Sequence, residues 1–155
     1  MNKYMEKALE IATTGINNKD GGPFGAVIVD SSGNIVGYGN NRVFKNCDPT
    51  AHAEILAIRD ACKKLNTNDL TGCTLYTTCE PCPMCLSAII WSNIKTFYFG
   101  CNRKDAANIG FRDDFIYEYL KDTNKHSDII YSKNIDRDAC MEVFNKYVQD
   151  GGIIY

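Results

Sequence analysis

The sequence predicts an α/β fold in three layers, α/β/α, built on a five-stranded mixed sheet within a single domain spanning residues 1–155. Three observations predict it. Apolar residues switch repeatedly between a spacing near 3.6 and a spacing of two, the marks of helix and strand. An early hairpin precedes a run of alternating strand and helix patterns, the sequence form of a layered α/β sheet. No repeat, low-complexity tract or linker-like stretch divides the 155 residues, a length that one hydrophobic core can serve.

Each element follows from local chemistry. Residues 2–16 read as an amphipathic helix with Met5, Ala8, Leu9 and Ala12 on one side. Gly21-Gly22-Pro23 breaks the pattern. Residues 24–29 then form a strand, Ser31-Ser32-Gly33-Asn34 a hairpin turn, and 35–40 the antiparallel return. Asp48-Pro49-Thr50 supplies cap and start signals for a helix over 51–65. Residues 74–78 form a strand, 82–92 a helix and 96–99 another strand, joined through crossover helices. A short helix over 113–121, a fifth strand over Ile129-Ile130-Tyr131 and a closing helix over 136–149 complete the reading.

Composition narrows the function classes. With 45% hydrophobic and 23% charged residues the chain is ordinary for a globular protein. A net charge of -2 argues against a general nucleic-acid footprint, which needs a basic face. No apolar run approaches the roughly 20 residues of a membrane span, so no membrane partner is expected. The start alternates charged and apolar residues and has no signal-peptide core, which implies a cytoplasmic protein. Cys47, Cys62, Cys73, Cys101 and Cys140 are scattered singly and read as small buried hydrophobes rather than bridge partners.

Two short motifs carry the chemistry: His52-Ala53-Glu54 and Pro81-Cys82-Pro83-Met84-Cys85. One imidazole and two thiolates make three good ligands for one Zn²⁺. A catalytic zinc keeps three protein ligands and leaves the fourth position to water. Cys82 and Cys85, three apart at a helix start, turn both sulfurs to one side, and the helix N-terminus stabilises thiolates. Glu54 stands two residues beyond His52, so it points away from the metal's first ligand and can reach that water's protons. The pattern H-x-E…P-C-x-x-C is the signature of zinc nucleobase deaminases. Taken alone, Cys82-x-x-Cys85 also suits a structural zinc or a redox pair. Cys79 with Cys82, Cys85 and His52 can in principle close a Cys₃His site, although its place at a strand end opposes this.

These motifs, with Phe24-Gly25-Ala26 on the first strand and Asn40-Asn41 ending the second, resemble the cytidine deaminase-like superfamily along nearly the whole chain. The stretch Asp105 to Tyr117, with Gly110-Phe111-Arg112-Asp113 and Phe115-Ile116-Tyr117, and the terminal Tyr155 resemble the bacterial guanine deaminases. Residues 136–155 hold more acidic than basic side chains, unlike the basic tail expected of a tRNA adenosine deaminase.

The resemblance implies hydrolytic deamination of guanine to xanthine. His52, Cys82 and Cys85 would bind zinc, and Glu54 would shuttle the proton. Asp113 would meet the guanine amino edge and act as a second proton carrier, with Asp114 able to slip into that role. Asn41 would hydrogen-bond the purine, and Phe24 and Trp91 would line the pocket. The resemblance further implies a homodimer with an exchanged C-terminal segment, in which Tyr155 caps the partner's site. Read without the resemblance, Asn41 also suits a turn, Asp113 a helix cap and Trp91 the core. His126, in a polar loop, is given no function. Two alternatives stay open. One is a deaminase of another base, cytosine or adenosine in tRNA; the other is a catalytically silent, zinc-stapled binding module.

Overall fold

A computed structural model describes residues 1–122 and 128–155. In chain order the elements are α1 (Lys3–Asn17), β1 (Gly25–Val29), β2 (Ile35–Asn40), α2 (Val43–Asn46), α3 (Ala53–Leu65), β3 (Thr74–Cys79), α4 (Pro83–Trp91), β4 (Thr96–Cys101), α5 (Arg103–Asn108), α6 (Asp114–Lys121) and α7 (Arg137–Gln149). The chain divides into two compact units, Met1–Glu118 and Tyr119–Tyr155.

In the first unit the strands lie in the order β2-β1-β3-β4. β1 pairs antiparallel with both β2 and β3, while β3 and β4 run parallel, so the sheet is mixed. Every residue of β1 is buried because both of its faces are covered. Val27 and Val29 pack with Ala8, Tyr4 and Met5 of α1. Ala26 and Ile28, alternating to the other face, pack with Ala53, Ala57, Ala61 and Ile89 of α3 and α4. Three layers result, with α1 on one side and α3 and α4 on the other.

Helix α3 lies unusually close to β2 because both surfaces are made of small residues. A methyl group at Gly39 would stand 2.6 Å from the Ala53 carbonyl oxygen and 2.8 Å from the Ala57 nitrogen. Gly39→Ala is therefore expected to destabilise the protein by about 1–3 kcal/mol, as overpacking does. Urea unfolding measures the loss, and an unshifted midpoint would contradict the tight approach.

The described residues form four strands, not five. Ile129-Ile130-Tyr131 is not a strand; all three side chains are exposed. A three-residue apolar run is short for a strand and has no ladder partner among the described residues. His126 lies outside the described residues. All eight cysteines are free thiols, but Cys47, Cys101 and Cys140 are exposed, so burial does not explain their presence.

In the second unit α7 has no buried residue, and Val143, Phe144, Tyr147 and Val148 are exposed on it. Tyr147 closes the turn after the helix, its hydroxyl donating to the Ile153 carbonyl at 2.7 Å. Tyr155 is exposed at the end of this unit. No helix among the described residues is long and apolar enough to cross a membrane.

Candidate metal centre and substrate pocket

Strand direction gathers the site. β2, β3 and β4 all end at one edge of the sheet and β1 begins there, so Asn41, Cys79, Arg103 and Phe24 meet at that edge. Ligand sites of open α/β sheets form outside the carboxyl ends of their strands in this way. A cavity of about 440 Å³ opens there, lined by side chains that include Phe24, Asn41, His52, Glu54, Cys82, Phe111 and Asp113.

The two motifs enter from the starts of two helices. His52 is the extended N-cap residue of α3, and Glu54 lies in its first turn. Cys82 is the N-cap residue of α4, Pro83 starts the helix with its preset φ, and Cys85 follows in the first turn. Nδ1 of His52 stands 3.6 Å from Sγ of Cys82 and 3.5 Å from Sγ of Cys85. A tetrahedral zinc with ordinary Zn–S and Zn–N bonds requires S-to-N edges of about 3.6 Å. The donor set and its spacing therefore fit zinc. These three are the residues whose ligand atoms cluster for a metal among the described residues; Cys79 is not one of them. Cys79 is buried at the end of β3, and desolvation pushes its thiol up to about 11.

The three ligand side chains perturb one another. Hydrogen bonding from Cys85 and then His52 pulls the Cys82 thiol down to about 4. The same contact with the Cys82 thiolate, with burial and nearby Glu54, holds the Cys85 thiol far above its ordinary range. His52 is raised, chiefly by its bond to Cys82. Negative charge of this kind is what a divalent cation would neutralise.

Glu54 is buried, and its carboxyl is raised above the ordinary value by desolvation. Thr77 Oγ1 donates to its Oε1 at 3.0 Å, while Oε2 lies 3.5 Å from Cys85 Sγ. The carboxylate is thus steered by β3 and faces the cluster without belonging to it.

Asn41 has its side-chain oxygen already engaged. Oδ1 accepts from the Gly22 nitrogen at 3.0 Å and the Val43 nitrogen at 3.2 Å. Asn41 lines the cavity, and its amide nitrogen is the side chain's remaining polar group. The loop after it is pinned by buried Asp20, which accepts from Asn40 Nδ2 at 2.9 Å and pairs with Lys45 at 3.2 Å. The Gly21-Gly22-Pro23 break is what lets the Gly22 nitrogen approach. Phe24 meets Phe111 edge-on, with ring centroids 5.0 Å apart, as an apolar wall.

Asp113 lines the cavity ahead of α6, and burial followed by the Cys82 charge raises its carboxyl. Asp114 turns away to an exposed pair with Arg112 at 3.1 Å. Of the two aspartates, Asp113 is the one at the pocket. Trp91 lies elsewhere: it is 72% exposed at the last residue of α4, about 12 Å along the helix from Pro83. It is not among the cavity's lining residues.

The wall residues Glu80 and Arg103, and Tyr117 packed behind them under the Arg103 guanidinium, escape a reading of the sequence. Glu80 Oε1 accepts from Arg103 Nε at 2.9 Å, and Tyr117 Oη donates to the Pro81 carbonyl at 2.9 Å. One signal was available: Asn102-x-x-Asp105 forms a capping box at the start of α5, which fixes Arg103 as its first residue.

Comparison with known proteins agrees with this geometry. Residues 1–101 match the cytidine and deoxycytidylate deaminase zinc-binding region. The guanine deaminase of Bacillus subtilis strain 168 is 50% identical over 117 residues, covering 76% of this chain and 74% of that protein. The X-ray structure of guanine deaminase from Bacillus subtilis superposes with a TM-score of 0.85 at 41% identity, covering 94% of this chain and 95% of that one. The tRNA-specific adenosine deaminase of Haemophilus influenzae is 45% identical over 97 residues, 63% of this chain and 56% of that protein. With a matching zinc-binding region over most of its length and a guanine deaminase relative covered along three quarters of both sequences, the chain belongs to the cytidine and deoxycytidylate deaminase family of zinc-dependent enzymes, in its guanine deaminase branch.

Proposed function

We propose that the protein is a zinc-dependent guanine deaminase that converts guanine and water to xanthine and ammonia. The observation that carries the proposal is the convergence of His52, Cys82, buried Glu54 and Asp113 on one cavity, with Cys85 completing the ligand cluster at its wall. Zinc held by His52, Cys82 and Cys85 would supply Lewis-acid activation of the attacking water.

The remaining steps belong to the chain's own side chains. Glu54, held at Oε1 by Thr77, takes one proton from water as its oxygen bonds to C2 of guanine, and delivers that proton to ring N3. Asp113 accepts from the 2-amino group and relays the second water proton, given up by the new C2 hydroxyl as it becomes the carbonyl, to that nitrogen. The C2–N bond then breaks, ammonia leaves, and the ring retains the new oxygen as xanthine. Asn41, with only its amide nitrogen available, suits an acceptor on the purine edge, and Phe24 with Phe111 covers the ring. Incubation of zinc-loaded protein with guanine is expected to yield xanthine and ammonia in equal amounts. Xanthine formation without ammonia, or neither product, would sink the proposal.

The quaternary reading extends from α7. A 13-residue helix with no buried residue, followed by exposed Ile153, Ile154 and Tyr155, supports a homodimer in which this segment is covered by a second copy. Tyr155 would then cap the partner's pocket. Light scattering is expected to give a dimer, and removal of Tyr155 to lower turnover; a monomer with unchanged turnover after truncation contradicts both. Eight free thiols, two of them in the zinc cluster, support a reducing, cytoplasmic setting.

A further inference from the structure

Three elements beside the pocket are tied into a closed ring by side chains to which the mechanism gives no role. Glu80 and Pro81 are neighbours in the loop that leads into the Cys82 ligand. Arg103, the first residue of α5, grips Glu80 through Nε at 2.9 Å and Nη2 at 2.8 Å, and its backbone nitrogen donates to Glu80 Oε2 at 3.1 Å. The Arg103 guanidinium also lies 4.0 Å above the centre of the Tyr117 ring. Tyr117 returns to the loop, its hydroxyl donating to the Pro81 carbonyl at 2.9 Å.

Tyr117 sits one helical turn after Asp113, and its backbone nitrogen donates to the Asp113 carbonyl at 3.4 Å. Tyr117 and Asp113 thus bracket the first turn of α6, so anchoring the Tyr117 side chain anchors the turn that carries the Asp113 carboxyl. The Pro81 carbonyl lies just outside α4, where it would otherwise have no helical donor. The contact consequently joins the loop of the metal ligands to the helix of the acid. Arginine suits the central place, because its flat guanidinium can bind a carboxylate on its edge and an aromatic ring on its face at once.

We propose that Tyr117, clamped between Arg103 and the Pro81 carbonyl, is a positioning residue that holds Asp113 in register with the metal-ligand loop. The proposal rests on the reading that Asp113 acts on the substrate. Positioning errors of about 1 Å can cost on the order of 100-fold in rate. Removal of a single hydroxyl that sets such a position is expected to cost about tenfold.

The test is a double-mutant cycle on zinc-loaded protein with guanine, using Tyr117→Phe, Asp113→Asn and both together. Tyr117→Phe keeps the ring under Arg103 and removes only the hydrogen bond. Its kcat is expected to fall about tenfold, with zinc per chain unchanged. In the Asp113→Asn background the same change is expected to cost nothing, because there is no acid left to position. Equal losses in both backgrounds would overturn the proposal and leave a merely structural contact. So would loss of zinc in Tyr117→Phe, which would assign the contact to the ligands instead. An Asp113→Asn variant with full turnover would remove the reading on which the proposal rests, a result distinct from the other two. Should Tyr117→Phe fail to fold, Arg103→Lys, which keeps the charge but loses the two-pronged grip, is expected to show the same background-dependent loss.

Discussion

Replacing Glu54 by glutamine is expected to leave a folded, zinc-loaded protein whose kcat for guanine falls about 10²–10⁴-fold, the range of general acid–base catalysis. The substitution is nearly isosteric. Its side-chain oxygen can still accept from Thr77 Oγ1, which now bonds Glu54 at 3.0 Å. It removes only the capacity to take up and return a proton. Because Glu54 is buried and desolvation opposes its charge, the neutral variant is expected to be at least as stable as the parent. Zinc content by atomic absorption, melting temperature and kcat read the three effects separately. Near-normal turnover in a fully metallated Glu54→Gln protein would refute the proton-shuttle role.

Zinc removal is expected to abolish turnover and to lower the melting temperature, both reversed by adding zinc back. The His52, Cys82 and Cys85 donors lie at the starts of α3 and α4, so the ion would tie two helices across the sheet edge. Zinc at a thousandfold its Kd adds about 4 kcal/mol to stability. For a chain of 155 residues that corresponds to a melting shift on the order of 10 °C. Scanning fluorimetry with and without a chelator measures the shift. An unchanged melting point together with retained activity would show that these donors hold no functional metal.

What could be read from the sequence was what is local. The hairpin, the break at Gly21-Gly22-Pro23 and the two metal motifs each lie within a few consecutive residues, so spacing alone reveals them. Trp91 was misplaced because α4, Pro83–Trp91, is apolar nearly all round. No polar face marks its outer side, and only packing decides that Trp91 faces out. The expected strand at Ile129-Ile130-Tyr131 rested on composition, whereas a strand exists only with a partner, which sequence does not display. α2 and α5 are four and six residues long, too short to show a helical period. The ring of Glu80, Arg103, Tyr117 and Pro81 joins three segments, and no single stretch of sequence carries it.

The roles proposed for Asn41 and Asp113 discriminate between bases. A donor from Asn41 and a carboxyl from Asp113 suit a purine with an acceptor edge and an amino group beside ring N–H, as in guanine. The most direct measurement is ammonia release by the zinc-loaded protein from guanine, adenine, cytosine and a tRNA substrate in parallel. The account predicts release from guanine alone. Release from adenine, cytosine or the tRNA but not from guanine would keep the zinc chemistry and contradict the substrate assigned to the Asn41–Asp113 pocket.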